Sequence, residues 1–444
     1  MPPCAPNRPR RLARVVADTQ RGRLDGLRRL AGLAVLLLGL VGASTAASTI
    51  ATGGNGWSPG QPGDEFAFAL AVDGNRLIGS SPGASQSTGA TYAFDCTNAP
   101  CTQTFLFTPT DLAAGDRFGA SLALSGGTLA VGAPGQSPAA VYVFVQSGST
   151  WVQQAKLTAF GTASSTGFGR TLAMAGDHLA IAAPGADERA GAVYVFDRSG
   201  SSWNEATRFG AGDPAAGDGF GRSMAIAGDT LVVGAPLKSS GVGQFANGAA
   251  YVFVRSATAW LQQAKLTLQS SGNGDSFGTA VAIDGDRALV GAPLGGVPVT
   301  SVRSGSAYVF ERTGAAWTQH EQLTGSGGAE GDRFGWSVAL SGNGALVGAP
   351  FAFNSCGATY SFVRTASGWS RTDESIIGAI TLGDLVGWTV AADPTHWVVA
   401  APGSAGPLDH SGQAHLMPAG DLVFGDGFEL PAMNTCAPAR PGRY

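Results

Sequence analysis

Charge is what this chain has least of. Of its 444 residues, 13% are Asp, Glu, Lys or Arg, about half the usual share. Only three of the 27 basic residues are lysine. Residues 1–46 take eight arginines and two aspartates, which leaves 19 basic and 29 acidic residues beyond them, a net charge of −10. That balance excludes nucleic acid and anionic membranes as partners, because both demand a basic footprint. Histidine is scarce too: His178, His320, His396, His410 and His415 are the whole supply, and none shares a metal-binding spacing with another. No metal and no cofactor is expected. Long apolar runs are limited to Leu30–Ala43, about 14 residues, too short for a comfortable membrane span.

That stretch follows Arg28-Arg29 and precedes small residues, the layout of a secretory signal peptide. Residues 1–46 are read as the signal, with cleavage after Ala46 or Ala47. The mature chain is expected outside the cytoplasm, without a membrane span.

What the chain has in abundance is glycine, 67 residues, with 24 prolines and 44% hydrophobic residues. Apolar content at that level excludes general disorder. The length exceeds one compact core, so several domains or a repeat are required. A repeat is present. Gly-Asp-x-Phe-Gly, a Gly-Asp turn, Leu-x-Val-Gly-Ala-Pro and Gly-Ala-x-Tyr-Val-Phe recur in that order. The first Phe falls at 66, 118, 168, 220, 277 and 334, with Val386 in the seventh slot. The Pro falls at 82, 134, 184, 236, 293, 350 and 402, and both series step by 52, 50, 52, 57, 57 and 52 residues.

Each copy reads as four strands; in the fourth these are Phe220–Ala227, Thr230–Ala235, Ala249–Arg255 and Trp260–Thr267. Four-stranded units of about 50 residues predict an all-β fold, a seven-bladed β-propeller of four-stranded antiparallel blades over residues 47–418. The seventh unit lacks a fourth strand. Ser48–Thr52 or Asp421–Phe424 could complete it, and the N-terminal segment is the better candidate.

Arg198, Arg255, Arg312 and Arg364 stand five residues before Trp203, Trp260, Trp317 and Trp369, a spacing that sets guanidinium and indole across one hairpin. In the first copy the same two slots hold Cys96 and Cys101, which predicts a disulfide in an exported protein. Cys356 and Cys436 are a second candidate pair, with connectivity open.

Phe220-Gly-Arg-Ser-Met-Ala-Ile226 followed by Val233-Gly-Ala-Pro236 resembles the FG-GAP repeat of integrin alpha subunits and many exported bacterial proteins. The resemblance implies a surface or extracellular propeller that binds or adheres more often than it catalyses. One departure matters. The connection between the first two strands, as in Ala227-Gly-Asp-Thr230, is too short for a calcium loop, and calcium is not carried over. The segment Phe424-Gly-Asp-Gly-Phe-Glu429, in a tail of residues 419–444, is similar to one near the C-termini of exported Gram-negative proteins. A secreted, surface or periplasmic location in such a bacterium follows as an expectation.

Catalytic motifs dissolve into the repeat. Gly274-Asp-Ser276-Phe-Gly278 has the form of a hydrolase elbow, but it overlays Gly115-Asp-Arg-Phe-Gly119, so Ser276 fills a variable slot. The chain is therefore read as a non-enzymatic binding, adhesion or surface-recognition module. A tethered structural protein without specific ligand is the alternative, and a polysaccharide hydrolase or lyase the third. Between the Pro and the third-strand Tyr slot the copies have 9, 7, 9, 14, 14, 9 and 12 residues. The enlarged loops carry Lys238, Phe245, Asn247 and Arg303, and the sixth copy adds Phe351 and Phe353. These six are the sequence's candidates for holding a protein or polysaccharide ligand.

Overall fold

Seven sheets of four antiparallel strands follow one another along the chain, one for each copy of the repeat. The computed structural model describes residues 48–50, 64–98, 101–159, 167–239, 246–257, 259–268, 274–296, 303–325, 328–375, 383–403 and 412–418. All of these fall in one compact unit, Ala46–Tyr444. Ala46, Ala47, Phe245, Cys436 and the tail beyond 418 lie outside the described residues. No helix among the described residues is long and apolar enough to cross a membrane.

In the fourth blade the strands are Ser223–Ala227, Thr230–Ala235, Ala249–Ser256 and Ala259–Leu266. The first strand starts three residues later than the repeat suggests, because Phe220 and Gly221 belong to the turn that enters it. First strands pack on first strands in a closed cycle, the seventh against the first, so the sheets radiate from an axis. In six blades the third and fourth strands slip register by one residue just before the Phe, a bulge that adds twist.

Closure falls to the N-terminus. Ser48–Ile50 pairs antiparallel with Gln413–Pro418, in the register Ser48↔Leu416, Thr49↔His415 and Ile50↔Ala414. The seventh blade thus takes its outer strand from the start of the chain and its inner three from the end.

Three contacts of the repeat hold blade to blade. The first is aromatic: Phe220, fully buried, sits edge-on to Tyr251 at 5.6 Å and Phe253 at 5.8 Å. Equivalent triplets occur in five other blades, as with Phe118, Tyr142 and Phe144. Each rests on the preceding sheet, here on Ala180, Ala182, Val193 and Val195. The second is a hydroxyl clamp. Ser223 donates to the carbonyl of Gly278 in the next blade at 2.8 Å, as Ser121 does to Gly169 and Ser337 to Gly387. Thr389 does the same to Phe68 at 2.8 Å, from the last blade to the first. The third explains the Gly of Gly-Ala-Pro. A Cβ on Gly234 would lie 2.1 Å from the carbonyl oxygen of Gly278, so only glycine lets the blades approach this closely.

Opposite those contacts are the third-to-fourth strand hairpins. Cys96 and Cys101 form the disulfide expected there, Cα to Cα 4.2 Å. Arg198 lies over Trp203 at 5.9 Å and Arg312 over Trp317 at 5.2 Å. Arg255 and Arg364 keep the same cross-strand registers and pair with acids, Asp229 at 3.7 Å and Glu311 at 2.8 Å, as Arg312 also does with Asp286 at 2.6 Å. Cys356 is fully buried and disulfide-bonded, to a partner outside the described residues.

Candidate functional site

The residue after each Phe-Gly, or after Phe66-Ala67 and Val386-Gly387 in the first and seventh blades, leads into a first strand, and seven such residues ring the axis: Phe68, Ala120, Arg170, Arg222, Thr279, Trp336 and Trp388. The residue two positions before each, Phe in six blades and Val386 in the seventh, is buried between blades, and the ring residues stand where the first strands begin around the axis. A cavity of about 330 Å³ lies there, lined by all of them except Arg222. Its size is at the lower end for small-molecule sites.

The ring is divided. Blades six, seven and one are neighbours and carry Trp336, Trp388 and Phe68. Trp336 and Trp388 meet at 5.1 Å with their planes 46° apart, and Phe68 stands 6.1 Å from Trp388. Phe351 extends the arc, edge-on to Trp336 at 5.7 Å. All four rings are only half-buried. Two more arginines brace them from outside: Arg333 lies 4.5 Å from the Phe351 centroid and 5.5 Å from Trp336, and Arg117 lies 6.0 Å from Phe68. Both occupy the variable slot of Gly-Asp-x-Phe-Gly, where the backbone is left-handed, φ 59° at Arg333 and 56° at Arg117. Ser276 sits in that same slot with φ 56°, as its place in the repeat requires.

Across the ring, blades three and four carry Arg170 and Arg222, both exposed. Neither has a carboxylate partner among the described residues. Burial first, then the fields of Arg170 and Arg189, hold the Arg222 guanidinium below the usual arginine range. The mouth is thus aromatic on one arc and cationic on the opposite one.

The loop residues singled out from the sequence have other surroundings. Lys238 is buried and its ammonium meets Asp218 at 2.8 Å and Asp213 at 3.5 Å. It also donates to the Asp213 carbonyl. Asn247 accepts from the Gly274 amide at 3.0 Å, and Arg303 donates to the Gly274 carbonyl at 2.8 Å and to that of Leu294 at 2.9 Å. Asn247 ties its loop to the next blade's entry turn, whereas Lys238 and Arg303 tie theirs to the entry turn of their own blade, and Lys238 and Asn247 also line a second cavity of about 210 Å³. Phe353 packs against the core between blades five and six. Of the five candidates among the described residues, Phe351 alone reaches the axial ring. Among the described residues no three or more His, Cys, Asp and Glu gather as a metal site.

What sequence reasoning missed is the ring itself. Its signal lay in the slot after Phe-Gly, read down the copies as Phe, Ala, Arg, Arg, Thr, Trp, Trp.

Fold and ring together define a seven-bladed β-propeller with an open, chemically two-sided axial mouth. The FG-GAP repeat model matches residues 102–144, 151–196, 203–253, 260–310 and 317–362, more than half the chain. The chain belongs to the FG-GAP repeat family. Each match runs from the fourth strand of one blade to the third of the next, so the sequence repeat and the blade are offset by one strand. No curated protein matches the chain.

Proposed function

We propose that this protein is an exported, non-catalytic propeller that recognises a ligand at the cell surface through its axial mouth. The observation that carries this reading is the ring: half-exposed Trp336, Trp388 and Phe68 line one cavity with Arg170, and Arg222 stands near enough to Arg170 for their charges to interact. Half-exposed indoles and unpaired guanidiniums are the side chains most enriched where binding energy concentrates. Among the described residues no carboxylate, histidine or cysteine lines that cavity, which favours holding a ligand over acid–base turnover of it. The Cys96–Cys101 disulfide supports an oxidising compartment.

The test is retention of the mature chain, residues 47–444, on isolated cell envelopes. Retention should saturate, ignore EDTA, and fall at least tenfold in Trp336→Ala/Trp388→Ala with the melting temperature nearly held. Undiminished retention in that variant would move the site to the loops around Asn247 and Arg303. Absence of saturable retention by the native chain would favour a tethered structural protein instead.

A further inference from the structure

The ring is built to read a particular chemistry, and this inference rests on the mouth being the binding site. We propose that the mouth takes an acidic glycan, a sugar ring lying on Trp336 and Trp388 with its carboxylate toward Arg170 and Arg222.

Three features of the mouth converge on that ligand. An indole face is electron-rich, and the C–H face of a pyranose is the complementary surface: apolar, slightly positive and flat. Trp336 and Trp388, tilted 46° to each other, offer a bent platform instead of a slot that would enclose a planar ring. The second feature is the arginine pair. Two neighbouring guanidiniums without a carboxylate repel each other, and a planar carboxylate accepts from such forks bidentately. The anion would supply what the fold leaves out.

The third feature concerns hydroxyls. Ser121, Thr171, Thr279 and Thr389 all line the cavity, and each already donates its hydrogen to a backbone carbonyl: Gly169 at 2.6 Å, Arg222 at 3.2 Å, Ser276 at 2.7 Å and Phe68 at 2.8 Å. With their protons committed, these oxygens keep only acceptor capacity. A wall of acceptors calls for a ligand rich in O–H donors, which a sugar is and an acidic peptide is not. A nucleic acid is disfavoured because its many phosphates would meet a mature chain of net charge −10, where a single local cation pair suits one carboxylate at a time.

The experiment compares polygalacturonate, the same polymer with its carboxyls reduced, and polyglutamate, using the mature full chain in affinity electrophoresis and calorimetry at two salt concentrations. Polygalacturonate should bind saturably, at least tenfold tighter than either comparison polymer, and more weakly as salt rises. Arg170→Ala/Arg222→Ala should remove that tenfold preference while leaving residual binding of the reduced polymer. Trp388→Ala should weaken both sugar polymers. Thermal melts of every variant identify any that fail to fold, and the more conservative Arg170→Gln/Arg222→Gln then replaces the alanine pair. Equal binding of the reduced polymer, equal binding of polyglutamate, or an unchanged preference in the arginine variant would overturn the assignment. Envelope retention that polygalacturonate does not compete away would overturn the glycan while leaving the binding module standing. Loss of envelope retention altogether would remove both.

Discussion

Lys238 and Gln136 occupy the same position in two blades, two residues after the Pro, and do the same task with different chemistry. Gln136 donates to the Asp111 carbonyl at 3.0 Å and to Asp116 at 3.3 Å. Lys238 donates to the Asp213 carbonyl and to Asp218. In both blades the acid is buried and also accepts a backbone amide three residues back, Ala113 or Ala215, which closes the entry turn. Replacing Lys238 by Met would strand the Asp218 charge, and urea unfolding should show a loss of about 3 kcal/mol. Lys238→Gln borrows the second blade's solution and should lose about 1 kcal/mol or less. Equal losses would mean that stem packing, not the ion pair, is what Lys238 contributes. The basic residue was legible in the sequence; its partners, 20 and 25 residues upstream, were not, because only the fold brings them beneath it.

At the scale of elements, loop length decides conformation. The three nine-residue connections, in blades one, three and six, each contain a single left-handed helical turn: Ser85–Ser87, Asp187–Arg189 and Phe353–Ser355, all with φ between 51° and 69°. Left-handed turns of L-residues cost roughly 1–2 kcal/mol per residue. What offsets the cost is position. The turn aims its carbonyls at the next blade, where Arg117 and Phe118 donate to Ser87 and Thr88, and Gly219 and Phe220 to Arg189 and Ala190. No residue type is common to Ser-Gln-Ser, Asp-Glu-Arg and Phe-Asn-Ser, so no propensity announces this turn; the spacing between fixed Pro and Gly does. The same turn carries Phe353 into the core and leaves Phe351 to the mouth.

The closing blade differs in another way. Six blades place Tyr in the middle of the third strand, whereas the seventh places His415. Desolvation lowers its pKa to about 4, opposed only by the field of Asp384, and its Nδ1 has no hydrogen-bond partner among the described residues. A buried neutral histidine is protonated more readily in the unfolded chain, near pH 6.5. Stability from this site is therefore full above pH 6.5 and drains as pH falls toward 4, by at most about 3 kcal/mol. Thermal melts between pH 7 and pH 4 should show the decline, and His415→Tyr, the side chain of the other blades, should flatten it. A decline unchanged in that variant would assign the acid sensitivity to other groups.

The whole molecule depends on one short pairing of distant segments. Ser48–Ile50 closes the ring through three residue pairs, helped by Thr389 reaching Phe68 and by Gly412, where a Cβ would lie 2.0 Å from the Phe66 carbonyl. Deleting residues 48–50 should cost on the order of 2–3 kcal/mol, at about 1 kcal/mol per ladder hydrogen bond. It should also expose the third strand of blade seven, which proteolysis or hydrogen exchange would report first at Gln413–Pro418. Protection at that strand undiminished by the deletion would mean the ring closes without it.

The amino-acid order alone determined the number of blades, their four strands and the Cys96–Cys101 bond, while it left two segments able to complete the ring and the structure chose the N-terminal one. Those properties come from local alternation, turn residues and a repeat whose seven copies check one another. Tertiary structure alone decided where the chemistry sits. The axial ring takes one residue from each blade, about 50 positions apart and each in a slot the repeat leaves free to vary, so its members can be picked out by repeat register, but residue order does not show that Trp336, Trp388 and Phe68 meet or that Arg170 and Arg222 stand across from them. Closing seven sheets about one axis converts those scattered positions into a single surface, because only closure brings the seventh blade beside the first.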